Sequence, residues 1–271
     1  FKEEGLEVDY KFEDDRSNVM AAYARGDIEV DMRTVGEHQG RPRDGSTPGV
    51  IIGTIDESLG GDGVITDDTI KTVADLKGKT VAADAPGTAG YFGLAWMLKK
   101  NGLSVKDVKV LNMGPQAAAN AMIAGTDGMD AAMTYEPYLS GVRAAPDKGK
   151  IIATTLDYPM VMDTFGCTPK FLAENPKAAQ GLANAYFDAL EMIKTDSAKS
   201  FEIMGADVKQ TGAQFEGSQK YLRWQDRAAN QKFFAGEHAQ FSKEAADLLL
   251  EIGIIKQIPD LSKLADTRFI K

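Results

Sequence analysis

Apolar residues recur with two different periods along this chain, and the switching between them predicts an alternation of strands and helices. In LEVDYKF (6–12) apolar and polar residues alternate at every second position, the pattern of a half-buried strand. SNVMAAYARGD (17–27) spaces its apolar residues as a helix does and stops at Gly26. IEVDMRTV (28–35) predicts a strand, and GVIIGTI (49–55) is a short apolar run of the kind buried in a parallel sheet. DGVIT (62–66) predicts another strand, TVADLKG (72–78) a short helical turn, and KTVAAD (79–84) the strand after it. The helix YFGLAWMLKKN follows the turn PGTAG and closes at Asn101-Gly102, a good C-terminal stop. VKVLNMG (108–114), MDAAMTY (129–135), KIIATTL (150–156) and DTFGCTP (163–169) read as strands. PQAAANAMIAG between the first two reads as a helix, and EPYLSG after Tyr135 as a loop. Beyond residue 170 the pattern becomes helical. Asn175-Pro176 is a helix start, and further helices are predicted at 211–231 and 238–252. The whole describes an α/β protein with a helical C-terminal third.

Composition narrows the function classes. The 271 residues suffice for roughly two domains of ~150 residues, and 43% apolar with 26% charged residues is ordinary for a folded globular chain. A net charge of −9 argues against nucleic acid, which needs a basic face. No apolar run approaches the ~20 residues that span a bilayer. The single cysteine, Cys167, rules out an internal disulfide and reads as a small buried apolar residue. His38 and His238 lie far apart in polar stretches, read as surface residues, and give no metal pair by spacing.

The chemistry-bearing stretches are loops. DAPGTAGYF lacks the spacing of a Walker loop or a dinucleotide fingerprint. It still sets Gly87, Thr88 and Ala89 where a helix begins and unpaired N–H groups collect. A plain turn with Thr88 as N-cap is the competing reading. IDESLGGDG (55–63), TYEPYLS (134–140) and DYPMVMDTF (157–165) also follow predicted strands. Ligands of open α/β sheets sit outside such strand ends, so a shared cleft is expected. Two or more of the acids Asp56, Glu57, Glu136 and Asp163 in that cleft would repel a purely anionic ligand and favour an amine or N–H donor. No nucleophile–base pair, metal cluster or cofactor motif stands out, so binding is expected rather than catalysis.

Several runs carry a family resemblance. KEEGLEVDY, DLKGKTVAADAPGTAGYFGLAWMLKKNGL, AMIAGTDGMDAAMTYEPYLS and the ending WQDRAANQKFFAG…EIGIIKQIPDLSKLADTRFI resemble the nitrate/sulfonate/taurine-type substrate-binding proteins of ABC importers. The resemblance spans the chain in order. It implies a two-lobe periplasmic binding protein fold of type II, each lobe a mostly parallel sheet flanked by helices. Lobe one would comprise 1–66 plus 164–271 and lobe two 67–163, with ligand between them and closure by a hinge. By the same resemblance Ser58, Leu59, Gly60, Thr88, Ala89, Glu136 and Asp163 would face the ligand, and the reading of the loops adds Gly87 and Tyr135 beside them. It further implies a periplasmic or lipid-anchored extracytoplasmic monomer that carries no cofactor and docks on a membrane permease. A strand, a ligand-contacting loop and a helix would precede Phe1. The expected ligand is a small polar solute, sulfonate- or taurine-like, or amine- or pyrimidine-like. The alternative is an enzyme on the same two-lobe fold, a pyrimidine-precursor synthase or a dehydratase.

Overall fold

The structure, a computed structural model, describes residues 1–11, 13, 16–40 and 49–271. The described strands form two sheets. In the first, the order is β1 (Val30–Thr34), β8 (Met162–Cys167), β2 (Val50–Ser58), β9 (Leu222–Trp224). In the second it is β5 (Lys109–Asn112), β4 (Thr80–Ala83), β6 (Ala131–Tyr135), β3 (Asp62–Thr66), β7 (Lys150–Thr154). Helices α1 (Arg16–Arg25) and α2 (Val35–Gly40) precede β2. Around the second sheet lie α3 (Ala89–Lys100), α4 (Pro115–Ala124) and α5 (Tyr138–Ala144). The C-terminal part supplies α6 (Pro169–Glu174), α7 (Pro176–Thr195), α8 (Ser197–Asp207), α9 (Gly212–Ser218), α10 (Arg227–Lys232) and α11 (His238–Glu251).

Local sequence explains most of these boundaries. Pro115 opens α4 at its first position, and Gly125 in a left-handed conformation closes it. Helix α7 begins at Pro176 as expected, and its apolar residues recur on one face. That face, with Ala179, Leu182, Ala183, Phe187 and Leu190, packs on Ile52, Phe165 and Cys167 of the first sheet. Each large side chain buried there stabilises the fold by about 1.5–3 kcal/mol. The second sheet buries Val64, Val81, Ala131 and Met133 against Leu94, Met97 and Leu98 of α3. Helix α11 links the two halves. Its Ala245, Leu248 and Leu249 pack on Phe92, Ala95 and Trp96 of α3, and Glu251 pairs with Lys99.

Four expectations change. The sheets are not mostly parallel: β8 runs antiparallel between β1 and β2, and among the described strands only the β4–β5 and β4–β6 pairs are parallel. GVIIGTI is therefore a buried antiparallel strand, which a continuous apolar run cannot reveal. Residues 6–11 form no strand, and Phe12 lies outside the described residues. Leu6 turns into the α7 cluster while Val8 and Tyr10 stay exposed, so the alternation there reports a surface segment without a ladder. The helix expected over 211–231 is α9, a 3-10 turn, the short strand β9 and α10, because β9 pairs with Asp56–Ser58 and Asp226 caps a new helix. EPYLSG is not all loop, since Tyr138 opens α5. In addition, β3, grouped above with lobe one, is hydrogen-bonded between β6 and β7 in the second sheet.

Candidate functional site

The ends of β4, β5, β6 and β7 come to one edge of the second sheet, because β4 is parallel to β5 and β6 while β6 and β7 both run antiparallel to β3. At the first sheet, Thr34 stands opposite Asp163 and Glu57 opposite Met162 at the corresponding edge. Three residues connect Ser58 of β2 to Asp62 of β3, and residues 155–161 connect β7 back to β8. The two sheet edges therefore meet at this double crossing, the position at which a ligand cleft is expected in such folds.

A hydroxyl knot holds the crossing. Ser58 Oγ lies 2.6 Å from Asp62 Oδ2, to which it donates, and 2.7 Å from Thr155 Oγ1. With Asp62 ionised, Ser58 has no second proton, so Thr155 donates to Ser58 and accepts the Gly60 N–H at 2.9 Å. The Leu59 N–H donates to the Tyr221 carbonyl at 2.8 Å, and the Glu136 N–H to the Gly61 carbonyl at 2.8 Å. Gly60 has φ +99°, and a Cβ there would meet the Tyr221 ring at 3.3 Å. Glycine is the residue that accepts both conditions.

Glu136 joins this knot, but its carboxylate is already engaged. Oε1 is ion-paired with Arg143, and Oε2 accepts the Ser140 N–H at 3.0 Å at the start of α5. Arg143 also donates to the Gly60 carbonyl at 3.0 Å, and its guanidinium lies 3.7 Å from the centre of the Tyr221 ring. Burial holds the Arg143 pKa below its ordinary value. Tyr135 is 36% exposed, and its ring lies 5.7 Å from that of Tyr138.

The turn after β4 is separate from the knot. Thr88 caps α3: its hydroxyl accepts the Tyr91 N–H at 3.3 Å and donates to the Ala85 carbonyl at 2.8 Å. Gly87 takes φ +94° ahead of it, and Ala89 is partly exposed. Among the described residues no hydrogen bond joins this turn to the Ser58–Glu136 group. The structure thus brings Ser58, Leu59, Gly60, Tyr135 and Glu136 together, sets Gly87, Thr88 and Ala89 on the neighbouring strand end, and leaves Asp163 across on β8.

Acids dominate the first-sheet side. Asp56 on β2 is only 7% exposed, and its Oδ1 has no hydrogen-bond partner. Burial, reinforced by repulsion from Asp62, pushes its pKa up to about 7. Burial also raises Asp62 to about 6, opposed by the Ser58 hydrogen bond and helped by Glu37 at the start of α2. Glu37 accepts the Thr34 N–H at 3.0 Å. Glu57, one residue on, points the other way and pairs with Arg223. Sequence reasoning missed Asp62, Thr155, Arg143 and Tyr221. Only the pairing of β3 and the arrival of β9 place them here, and neither has a local sequence signal.

The expectation of surface histidines is corrected. His38 is fully buried in α2, where burial and Arg33 hold its pKa well below 6.5. His238 is partly buried against Phe233 and Phe234 and lies 3.2 Å from Ser242 Oγ. Cys167 is buried as expected, its thiol pushed up to about 12.

Comparison with known proteins agrees with this fold. A family described as NMT1/THI5 like matches residues 1–199. A Brucella abortus protein named only as a binding protein is 26% identical over 162 residues, covering 59% of this chain and 50% of its own length. The chain thus spans about half the length of the curated relatives it matches. The periplasmic aliphatic sulphonate binding protein of Escherichia coli superposes with a TM-score of 0.73 at 18% identity, covering 91% of this chain and 78% of that one. The desulfurization enzyme DSZB superposes with a TM-score of 0.67 at 16% identity, covering 99% and 91%. These likenesses establish the periplasmic binding protein fold, and the match over residues 1–199 shows that the chain belongs to the NMT1/THI5-like family.

Proposed function

We propose that this protein is the extracytoplasmic solute-binding component of an ABC importer, capturing a small polar organic molecule between its two lobes. The observation that carries this reading is the double crossing, where four strand ends of the second sheet open toward the matching edge of the first. The lobes divide at residues 59–61 and 155–161, and rotation there would close the cleft on its ligand. Ser58, Leu59, Gly60, Gly87, Thr88, Ala89, Tyr135, Glu136 and Asp163 are the proposed lining. Glu136 acts mainly by holding Arg143 against Gly60, which fixes the cleft wall. The closed form would dock, as a monomer, on a membrane permease. Among the described residues no helix is long and apolar enough to cross a membrane.

We read the chain as non-catalytic. Cys167 is buried with its thiol neutral, and His38 is enclosed in the first lobe, so neither offers an accessible nucleophile or base. The ligand classes that fit the fold are sulfonates and taurine-like zwitterions on one hand, amines and pyrimidines on the other. A thermal-shift screen of sulfonates, amines, pyrimidines and nitrate tests the reading. A true ligand at 100 times its Kd stabilises the fold by about 2.7 kcal/mol, and a matching fall in the radius of gyration is expected from scattering. Absence of any stabilising compound across these classes contradicts solute capture.

A further inference from the structure

The acids at the crossing choose between those ligand classes. Asp56 on β2 and Asp62 on β3 come from different sheets on either side of the three-residue crossing and repel each other, and Glu37 of α2 repels Asp62 in turn. Glu37 is engaged by Thr34, and among the described residues Ser58 donates to Asp62 Oδ2. Asp56 Oδ1 is buried with no donor at all. A buried carboxylate oxygen without a donor is unfavourable enough to require an explanation. The cation at the crossing does not supply one, because Arg143 is held by Glu136, Gly60 and the Tyr221 ring. Tyr186 of α7 also flanks Asp56, with its hydroxyl bonded to the Ile55 carbonyl and its ring edge-on to Phe165 at 5.1 Å. It offers Asp56 no proton, but gives the carboxylate an aromatic neighbour.

We propose that the cleft recognises its solute through a protonated amine, held between the carboxylates of Asp56 and Asp62 at the crossing. The proposal rests on the solute-capture reading and narrows it. An ammonium group carries three donors, enough for the orphaned Asp56 oxygen and for the Asp62 oxygen that Ser58 leaves open. Among the described residues, a sulfonate or nitrate placed there would meet three acids, while Arg143 is held by Glu136 and Arg223 by Glu57. Raised proton affinity at both aspartates fits the same picture, since each is poised to exchange its proton for a cation.

Calorimetric titration with matched pairs tests it: taurine against isethionate, and ethanolamine against ethylene glycol, which differ by an amine for a hydroxyl. The amine of each pair is expected to bind about tenfold tighter or more, as a charged hydrogen-bonded group does over a neutral one. Asp56→Asn is expected to abolish that preference while leaving the thermal transition cooperative. Should Asp56→Asn fail to fold, Asp62→Asn and the pH dependence of the wild-type protein serve instead, with amine affinity rising from pH 5.5 to 7.5. Equal or tighter binding of isethionate overturns the proposal, as does an amine preference that survives both variants. Binding of sulfonates or nitrate without any amine overturns it too, yet leaves solute capture standing. Binding of no compound in the screen overturns both.

Discussion

Two sides of the crossing handle buried negative charge in opposite ways. On the α5 side Glu136 is balanced by Arg143 and by the N–H of Ser140, and the pair is welded to Gly60. On the β2 side Asp56 and Asp62 repel each other, Glu37 adds to the repulsion at Asp62, and a single serine, Ser58, donates to Asp62. The first arrangement is complete within the protein and reads as architecture. The second is incomplete, and an acid without a partner at a sheet junction is the better indicator of a binding function. Burial alone does not separate the two sides, because the Glu136 carboxylate is as enclosed as those of Asp56 and Asp62.

The comparison predicts a graded set of effects. The largest concerns pH. Asp56 and Asp62 bind protons more tightly folded than unfolded, so their stabilisation is full below about pH 4 and is lost as pH rises through about 6 to 7. Free-protein stability, followed by urea unfolding, is expected to fall over that interval, and Asp56→Asn to flatten the upper part of the slope. A wild-type profile that rises instead would break the contrast. Next, Arg143→Met leaves Glu136 buried and unpaired and is expected to destabilise by about 3 kcal/mol, with much of the loss recovered in the double variant with Glu136→Gln. A loss below about 0.5 kcal/mol would place Glu136 among ordinary surface pairs. Thr155→Val strips the Gly60 N–H and the Ser58 hydroxyl of their shared partner and should cost about 2 kcal/mol. The smallest effect is at the α3 cap: Thr88→Ala is expected to lose about 1 kcal/mol. If it also abolishes the preference for amines, the Thr88 turn rather than the crossing holds the amine.

How much of this was legible beforehand varied with the range of the interactions. Caps and stops were readable because they are local: Thr88, Pro115, Asn101-Gly102 and Asn175-Pro176 each mark a boundary within a few residues. The loops holding Ser58, Gly60 and Glu136 were readable because strand ends are. Strand direction was not. Val50–Ser58 is apolar enough for either kind of sheet, and its ladder is antiparallel because β8 and β9 arrive from far along the chain. Partners were equally hidden. Glu136 stood out as a lone acid after a strand, whereas its role depends on Arg143 one helix later and on Tyr221 from another part of the chain. Asp62 was legible as the start of the strand DGVIT, but not the pairing that sets it against Tyr135 in the second sheet.

The contrast between the balanced and unbalanced sides reduces to whether ligand binding displaces a proton from Asp56. Calorimetry of taurine binding at pH 6.5, repeated in buffers of different ionisation enthalpy, measures this directly. Release of up to about one proton on binding, lost in Asp56→Asn, is the result predicted from the raised proton affinities. Binding without proton release, or with the same release in the variant, would contradict the account.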